Sequence, residues 1–231
     1  MIKKSLLATA IFLLAVTSAN GAIIQYFGQG GSVAGGDAAS ARADFLSQLT
    51  ASVGTETFES LPVGAVNPDL TFQGSVGSIT ASLIGQGEVT QSNPQRYNTS
   101  PGGSQYYDTG AGGDFNLVFS TGISAFGFYG TDIGDVSGNL RLLINGVVSE
   151  SITLDTSGSA NANLLFWGFI DTDNSYTSIE FTNTATGDFF GYDDMTIGDI
   201  NQIQVNVSSP ATALLLGMGL VACMTLRRKL V

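Results

Sequence analysis

Two short stretches far apart in the chain carry the residue types most able to do chemistry. One is Thr57-Phe58-Glu59; the other is Phe190-Gly191-Tyr192-Asp193-Asp194-Met195-Thr196-Ile197. Acids grouped with backbone carbonyls suit Ca²⁺, which takes roughly 6–8 oxygens at about 2.3–2.6 Å. If the second stretch is a strand, Tyr192 and Asp194 share one face, and Asp193 shares the other with Gly191 and Met195. Glu59, Asp193 and Asp194 are therefore the candidate metal ligands, with structural Ca²⁺ as the ion. The plainer alternative is that all three are solvated strand-end acids in turns.

Other chemistries are closed. The chain has no histidine and a single cysteine, Cys223. Histidine acid–base catalysis, Ser-His-Asp and Cys-His arrangements and ordinary zinc sites are excluded. Two carboxylates alone could serve a glycoside hydrolase, but no pair is singled out, and no catalytic residue or organic cofactor is expected. The glycines of Gly28–Gly36 precede no Lys-Ser/Thr and form no phosphate cradle. Asp132-Ile133-Gly134-Asp135 and Asp171-Thr172-Asp173 resemble pieces of calcium loops, or Asx-type turns between strands. For sugar contact through a ring face, the candidates are Tyr97, Tyr106 and Tyr107 in a polar stretch read as a loop. Trp167, in Leu-Leu-Phe-Trp-Gly-Phe-Ile, reads as core.

The elements that must position these residues are mostly strands. Asp37 can cap a helix over about 37–49, with Ala39, Ala43, Leu46 and Leu49 on one face. From Thr55 onward the pattern is β. Glu56–Ser60, Leu70–Phe72, Ser78–Ile84, Phe115–Phe119, Ala125–Tyr129, Leu140–Ile144, Val147–Leu154, Leu164–Ile170, Ser178–Thr182 and Phe189–Ile197 read as about ten short strands. Thr90–Gly113 reads as one long loop, and Asn145-Gly146 as a two-residue hairpin turn. The 30 glycines supply turns. The class is all-β, an antiparallel β-sandwich (jelly roll) with one short N-terminal helix, spanning 23–198. First and last strands of such folds often lie side by side, which would bring Glu59 to the Asp pair.

Both ends read as targeting segments. Lys3 and Lys4, the apolar Leu6–Val16 and the small residues to Ala22 make a secretory signal peptide over 1–22, with signal peptidase as processing partner. After a linker at 199–207, the tail at 208–231 holds Pro210, an apolar run at 211–226 and the cations Arg227, Arg228 and Lys229. At ~1.5 Å per residue the run covers about 24 Å, enough for a single transmembrane helix with snorkelling cations on the cytoplasmic side. Between the two signals lie three arginines and all 19 acids, so the exported body carries about −16. Nucleic acid is thereby excluded as a partner; hard cations are favoured.

The tail resembles a PEP-CTERM sorting signal, read by an exosortase-type processing enzyme. Val207-Ser208-Ser209-Pro210-Ala211-Thr212 keeps the flanking Val, the second Pro and Ala-Thr, with serines in place of the first Pro and the Glu. That resemblance implies an exported protein anchored through its C-terminus, then placed at the cell surface or outside if the tail is cut. The Phe-Glu and Asp-Asp dipeptides resemble those of galactose-binding-like jelly rolls, including carbohydrate-binding modules and MAM-type domains. There such acids commonly hold structural calcium, which would make Glu59 and Asp193 or Asp194 ligands. Three functions follow: a non-enzymatic surface or biofilm-matrix protein stabilised by calcium; a binder of extracellular polysaccharide through loop aromatics; and, the weakest, a carboxylate-only hydrolase.

Overall fold

A computed structural model describes residues 23–110, 114–134, 140–146, 150–153, 159–183 and 187–204. The expected signal peptide and sorting tail lie outside them. The elements are β1 (Ile24–Gln29), α1 (Asp37–Ser47), β2 (Gly54–Glu56), β3 (Asp69–Gln73), β4 (Ser78–Gly85), β5 (Glu88–Gln91), β6 (Gln105–Gly110), β7 (Phe115–Ile123), β8 (Ala125–Thr131), β9 (Leu140–Gly146), β10 (Glu150–Thr153), β11 (Leu164–Ile170), β12 (Tyr176–Asn183) and β13 (Phe189–Gly198). A short 3₁₀ turn, Ile200–Gln202, follows.

Two antiparallel sheets stack as a sandwich. One has the order β1-β11-β8-β13-β6-β5, with β2 added along β13; the other runs β10-β9-β12-β7-β4-β3. Alternation along each strand turns one set of side chains into the space between the sheets. Phe115, Phe126, Phe128, Trp167, Phe181 and Tyr192 meet there, each almost wholly buried. Phe115 and Phe181 stack at 4.3 Å between ring centroids, and Tyr192 meets both rings edge-on. Such offset and edge contacts add to the free energy of burying large apolar area. Trp167 lies in the core, as its strand pattern predicts.

A second apolar layer lies outside this core, where α1 rests on β1, β8 and β11. Its buried face is Ala38, Ala41 and Phe45, not Ala39, Ala43 and Leu46. Phe45 fixes that choice because the sheet offers it a slot. Gly127 and Gly168 are register partners, and a Cβ on either would lie about 3 Å from the Phe45 ring (3.0 and 3.1 Å). The helix begins with Asp37 rather than being capped by it: Gly36 occupies the N-cap position at φ 115°, and no side chain caps the end.

Several sequence expectations change. Glu56–Ser60 is not one strand: β2 stops at Glu56, whose Oε1 accepts the Phe58 N–H at 2.6 Å, and Phe58 turns left-handed at φ 60° to bury its ring. Asn145 and Gly146 are not a two-residue turn. They extend β9 to pair with β12, and Ile144 faces Glu150 across a longer connection. The stretch Thr90–Gly113 contains the end of β5 and all of β6. The expected neighbourhood of early and late strands holds, through β2 on β13 with Met195 opposite Glu56.

Candidate functional site

The outer face of the seven-stranded sheet, beyond α1, is crossed by the connection between β5 and β6. Three acids grip this strap. Asp193 Oδ2 accepts hydrogen bonds from the Thr99 N–H (2.6 Å), the Thr99 hydroxyl (3.0 Å) and the Ser100 N–H (3.3 Å). Asp194 Oδ1 accepts from the Ser100 hydroxyl at 2.6 Å. Glu59 Oε1 accepts from Asn98 Nδ2 (3.0 Å) and from the N–H groups of Ser104 and Gln105 (2.7 Å each). Without these acceptors the N–H groups of the buried Thr99 and Gln105 would be left unpaired.

Glu59, Asp193 and Asp194 are thus brought to one segment, but as clamps on it. Among the described residues, no group of three or more Asp, Glu, His or Cys stands together so as to hold a metal ion. The strand alternation expected for Asp193 and Asp194 fails, because a bulge interrupts β13 between Asp193 and Thr196 and Asp194 sits at φ 48°. Such a bulge re-aims side chains. Here Asp193 and Asp194 both serve the strap, while Tyr192, Met195 and Ile197 face the core. Burial pushes the Asp193 carboxyl up to about 7, against the pull of the Thr99 hydrogen bonds.

The tyrosines correct the loop reading. Tyr106 and Tyr107 belong to β6 and are fully buried, so neither is a surface contact. Tyr107 points into the core, stacks on Phe58 and donates to the Gln86 carbonyl at 3.0 Å. Tyr106 lies on the outer face under the strap. It fits against Gly191, where a Cβ would come 3.0 Å from its ring, and it accepts from Asn93 Nδ2 at 3.1 Å. Burial and the nearby Asp108 push its hydroxyl up to about 12. Tyr97 is half-buried and packs against the helix layer. The Asp171 loop is an Asx-type turn: Asp171 accepts four hydrogen bonds, from Asp173, Asn174 (twice) and Tyr176. Asp132 instead accepts from the Ala162 N–H at 2.8 Å, and Asp135 lies outside the described residues.

Two depressions border the strap. The larger, about 490 Å³, is walled by Arg42, Thr57, Glu59, Asp194 and the Ser100–Gly103 turn. The smaller, about 270 Å³, is lined by Val66, Gly87, Glu88, Asp108, Gly110 and Phe189. Phe189 is 49% exposed. Arg96, from the strap, lies over its ring at 4.9 Å, while its Nε holds Asp108 at 2.8 Å and its Nη1 stands 3.6 Å from Asp132. Burial raises the Asp108 carboxyl above the usual aspartate range, and Arg96 opposes that shift. Sequence reading missed Phe189, since an aromatic opening an apolar strand reads as core. The available signal was its position as the first residue of that strand.

No protein-family model and no characterised relative matches the chain. Among solved structures, the chain is similar to the K2 cleaved adhesin domain of Lys-gingipain, at 16% identity and a TM-score of 0.41, over 63% of this chain and 97% of that one. It is also similar to the carbohydrate-binding module TmCBM61 in complex with β-1,4-galactotriose, at 15% identity and a TM-score of 0.31, over 51% and 86%. A mutant of the family 29 carbohydrate-binding module CBM29-2 gives 15% identity and 0.32, over 67% and 97%. Among the described residues no helix is long and apolar enough to cross a membrane.

Proposed function

We propose that this chain is an exported, non-catalytic surface or matrix protein whose sandwich binds neutral extracellular polysaccharide. The observation that carries the binding is Phe189. A half-exposed ring, backed on one side by Arg96, stands beside Asp108 and Glu88 in an open depression. A ring face packs on the C–H groups of a pyranose, and neighbouring carboxylates accept its hydroxyls. The body charge of about −16 disfavours acidic polymers and leaves neutral ones. Retardation of the protein in gels containing neutral polysaccharide tests this. Phe189→Ala is expected to weaken binding by about tenfold, or roughly 1.4 kcal/mol, with an unchanged melting temperature and no release of reducing ends. Equal retardation of both proteins, or none with any neutral glycan, overturns it.

Export and sorting are supported by the two terminal segments. The sorting tail is proposed as an exosortase-type substrate, with Pro210 in the recognition motif and Arg227, Arg228 and Lys229 holding the cytoplasmic end. Replacing those three cations with Ala is expected to impair retention and cleavage; unchanged localisation and C-terminal mass would remove the sorting proposal. Calcium stabilisation is a separate proposal, supported by the acid excess alone. It predicts a higher melting temperature in millimolar Ca²⁺ than after EDTA, and equal melting would end it.

A further inference from the structure

The larger depression differs in chemistry from the Phe189 site. It has no aromatic wall, and it sets a cation against two acids. Arg42 Nη2 stands 3.7 Å from Asp194 Oδ2. That is beyond hydrogen-bond reach, which ends near ~3.2 Å. Asp194 is nearly buried and tied on its other oxygen to Ser100, while the Arg42 guanidinium lies over the Tyr129 ring at 5.5 Å. Both groups are therefore held in place as a loose ion pair at the cleft wall. A hydroxyl can bridge the pair from the open side, accepting from the guanidinium and donating to the carboxylate. Thr57 and Glu59 stand on the same walls as further polar partners.

The same strap and the same strand serve both depressions. Ser100–Gly103 line the larger, while Arg96 touches Phe189 and Asp108 of the smaller. Asp194 follows Phe189 by five residues along β13. At ~3.3 Å per strand residue, the two points are about 16 Å apart. That spacing exceeds one sugar ring and suits a chain of several.

We infer that the Arg42–Asp194 cleft is a second subsite for the saccharide held at Phe189, so that the ligand is an oligosaccharide read at two points. This rests on the Phe189 reading and adds the ligand's minimum length and a hydroxyl-selective end. Phe189 supplies stacking, and the cleft supplies orientation through paired donor and acceptor. Linking two weak contacts raises affinity without any new contact type, provided that the ligand spans both.

The test is calorimetric titration of the full chain with β-1,4-linked gluco-, manno- and galacto-oligosaccharides, from monosaccharide to hexasaccharide. Affinity is expected to rise by about tenfold or more once the oligosaccharide is long enough to reach both subsites. Arg42→Gln removes the guanidinium and keeps a polar side chain, and Asp194→Asn suits a left-handed backbone. Each is expected to remove that gain and leave the shortest ligands unaffected. If Phe189→Ala weakens binding but affinity is flat with length, or both cleft variants bind long ligands like the parent, the second subsite is wrong and the Phe189 reading stands. If no oligosaccharide binds, or Phe189→Ala binds like the parent, the Phe189 reading falls and this inference with it.

Discussion

The Asp193 carboxyl gives the sharpest test of how the strap is held. It is 1% exposed, and its proton is held up to about 7, against 3.8 for a free aspartate, chiefly because burial penalises the charge. The folded state therefore binds this proton more tightly than the unfolded chain does. Stability from Asp193 is full below about pH 4 and falls as the unfolded chain ionises. It is lost once pH has risen through about 7, where the native carboxyl also ionises. A gap of about 3 units at ~1.4 kcal/mol each puts the loss near 4 kcal/mol. Asp193→Asn removes this titration. The amide cannot accept on both sides: Asp193 Oδ1 takes the Asp194 N–H and Oδ2 takes Thr99 and Ser100. The variant is therefore weakened by roughly 1–3 kcal/mol for an unpaired donor. Urea unfolding followed by the fluorescence of Trp167, the only tryptophan, gives the stability of both proteins at several pH values. Self-repulsion of the acidic body slopes both curves alike, so the readable quantity is their difference. The difference in stability, wild type minus variant, is expected to fall by about 3 kcal/mol between about pH 5 and about pH 8. A constant difference means that Asp193 does not titrate there. A difference that grows with pH means that the hydrogen bonds, not burial, govern the carboxyl.

Other predictions address the helix layer and a turn. Gly28→Ala would put a Cβ 2.1 Å from the Asp37 carbonyl oxygen, forcing α1 off β1, whereas Gly35 has nothing within 4 Å. Gly28→Ala is expected to lower stability by about 1–3 kcal/mol and Gly35→Ala to change it by less than about 0.5; equal melting temperatures would refute the close approach. Asp171 is held below the usual aspartate range: burial raises it, but the hydrogen bonds from Tyr176, Asp173 and Asn174 outweigh that. Its stabilisation is present above about pH 4 and is lost as pH falls through the lowered native value. Asp171→Asn should therefore cost about 1–2 kcal/mol at neutral pH and little in strong acid, as urea titrations at the two extremes would show.

The amino-acid sequence by itself determined the class of protein. Alternating apolar residues between turns specify strands whatever their partners, as in β3 and β4, and the described residues form two antiparallel sheets. The apolar run around Trp167 reads as a core strand, and β11 is one, between the core and α1. The absence of histidine and the acid excess close whole classes of chemistry from composition alone. Tertiary structure decided which side chains face water. Gln105–Gly110 is too polar and too close to Pro101 and two glycines to announce a strand. It becomes one because β5 and β13 satisfy its backbone, and the strap then closes over Tyr106. Phe189 looks like core in any local window, and it stays half-exposed where its register partner is Gly110 and Arg96 of the strap lies over its ring. The Asp193–Asp194 bulge has no local signature either. It exists because β13 must pair with β6, β2 and β8 along one strand, and that need, set by residues far away in sequence, aims both acids at the strap.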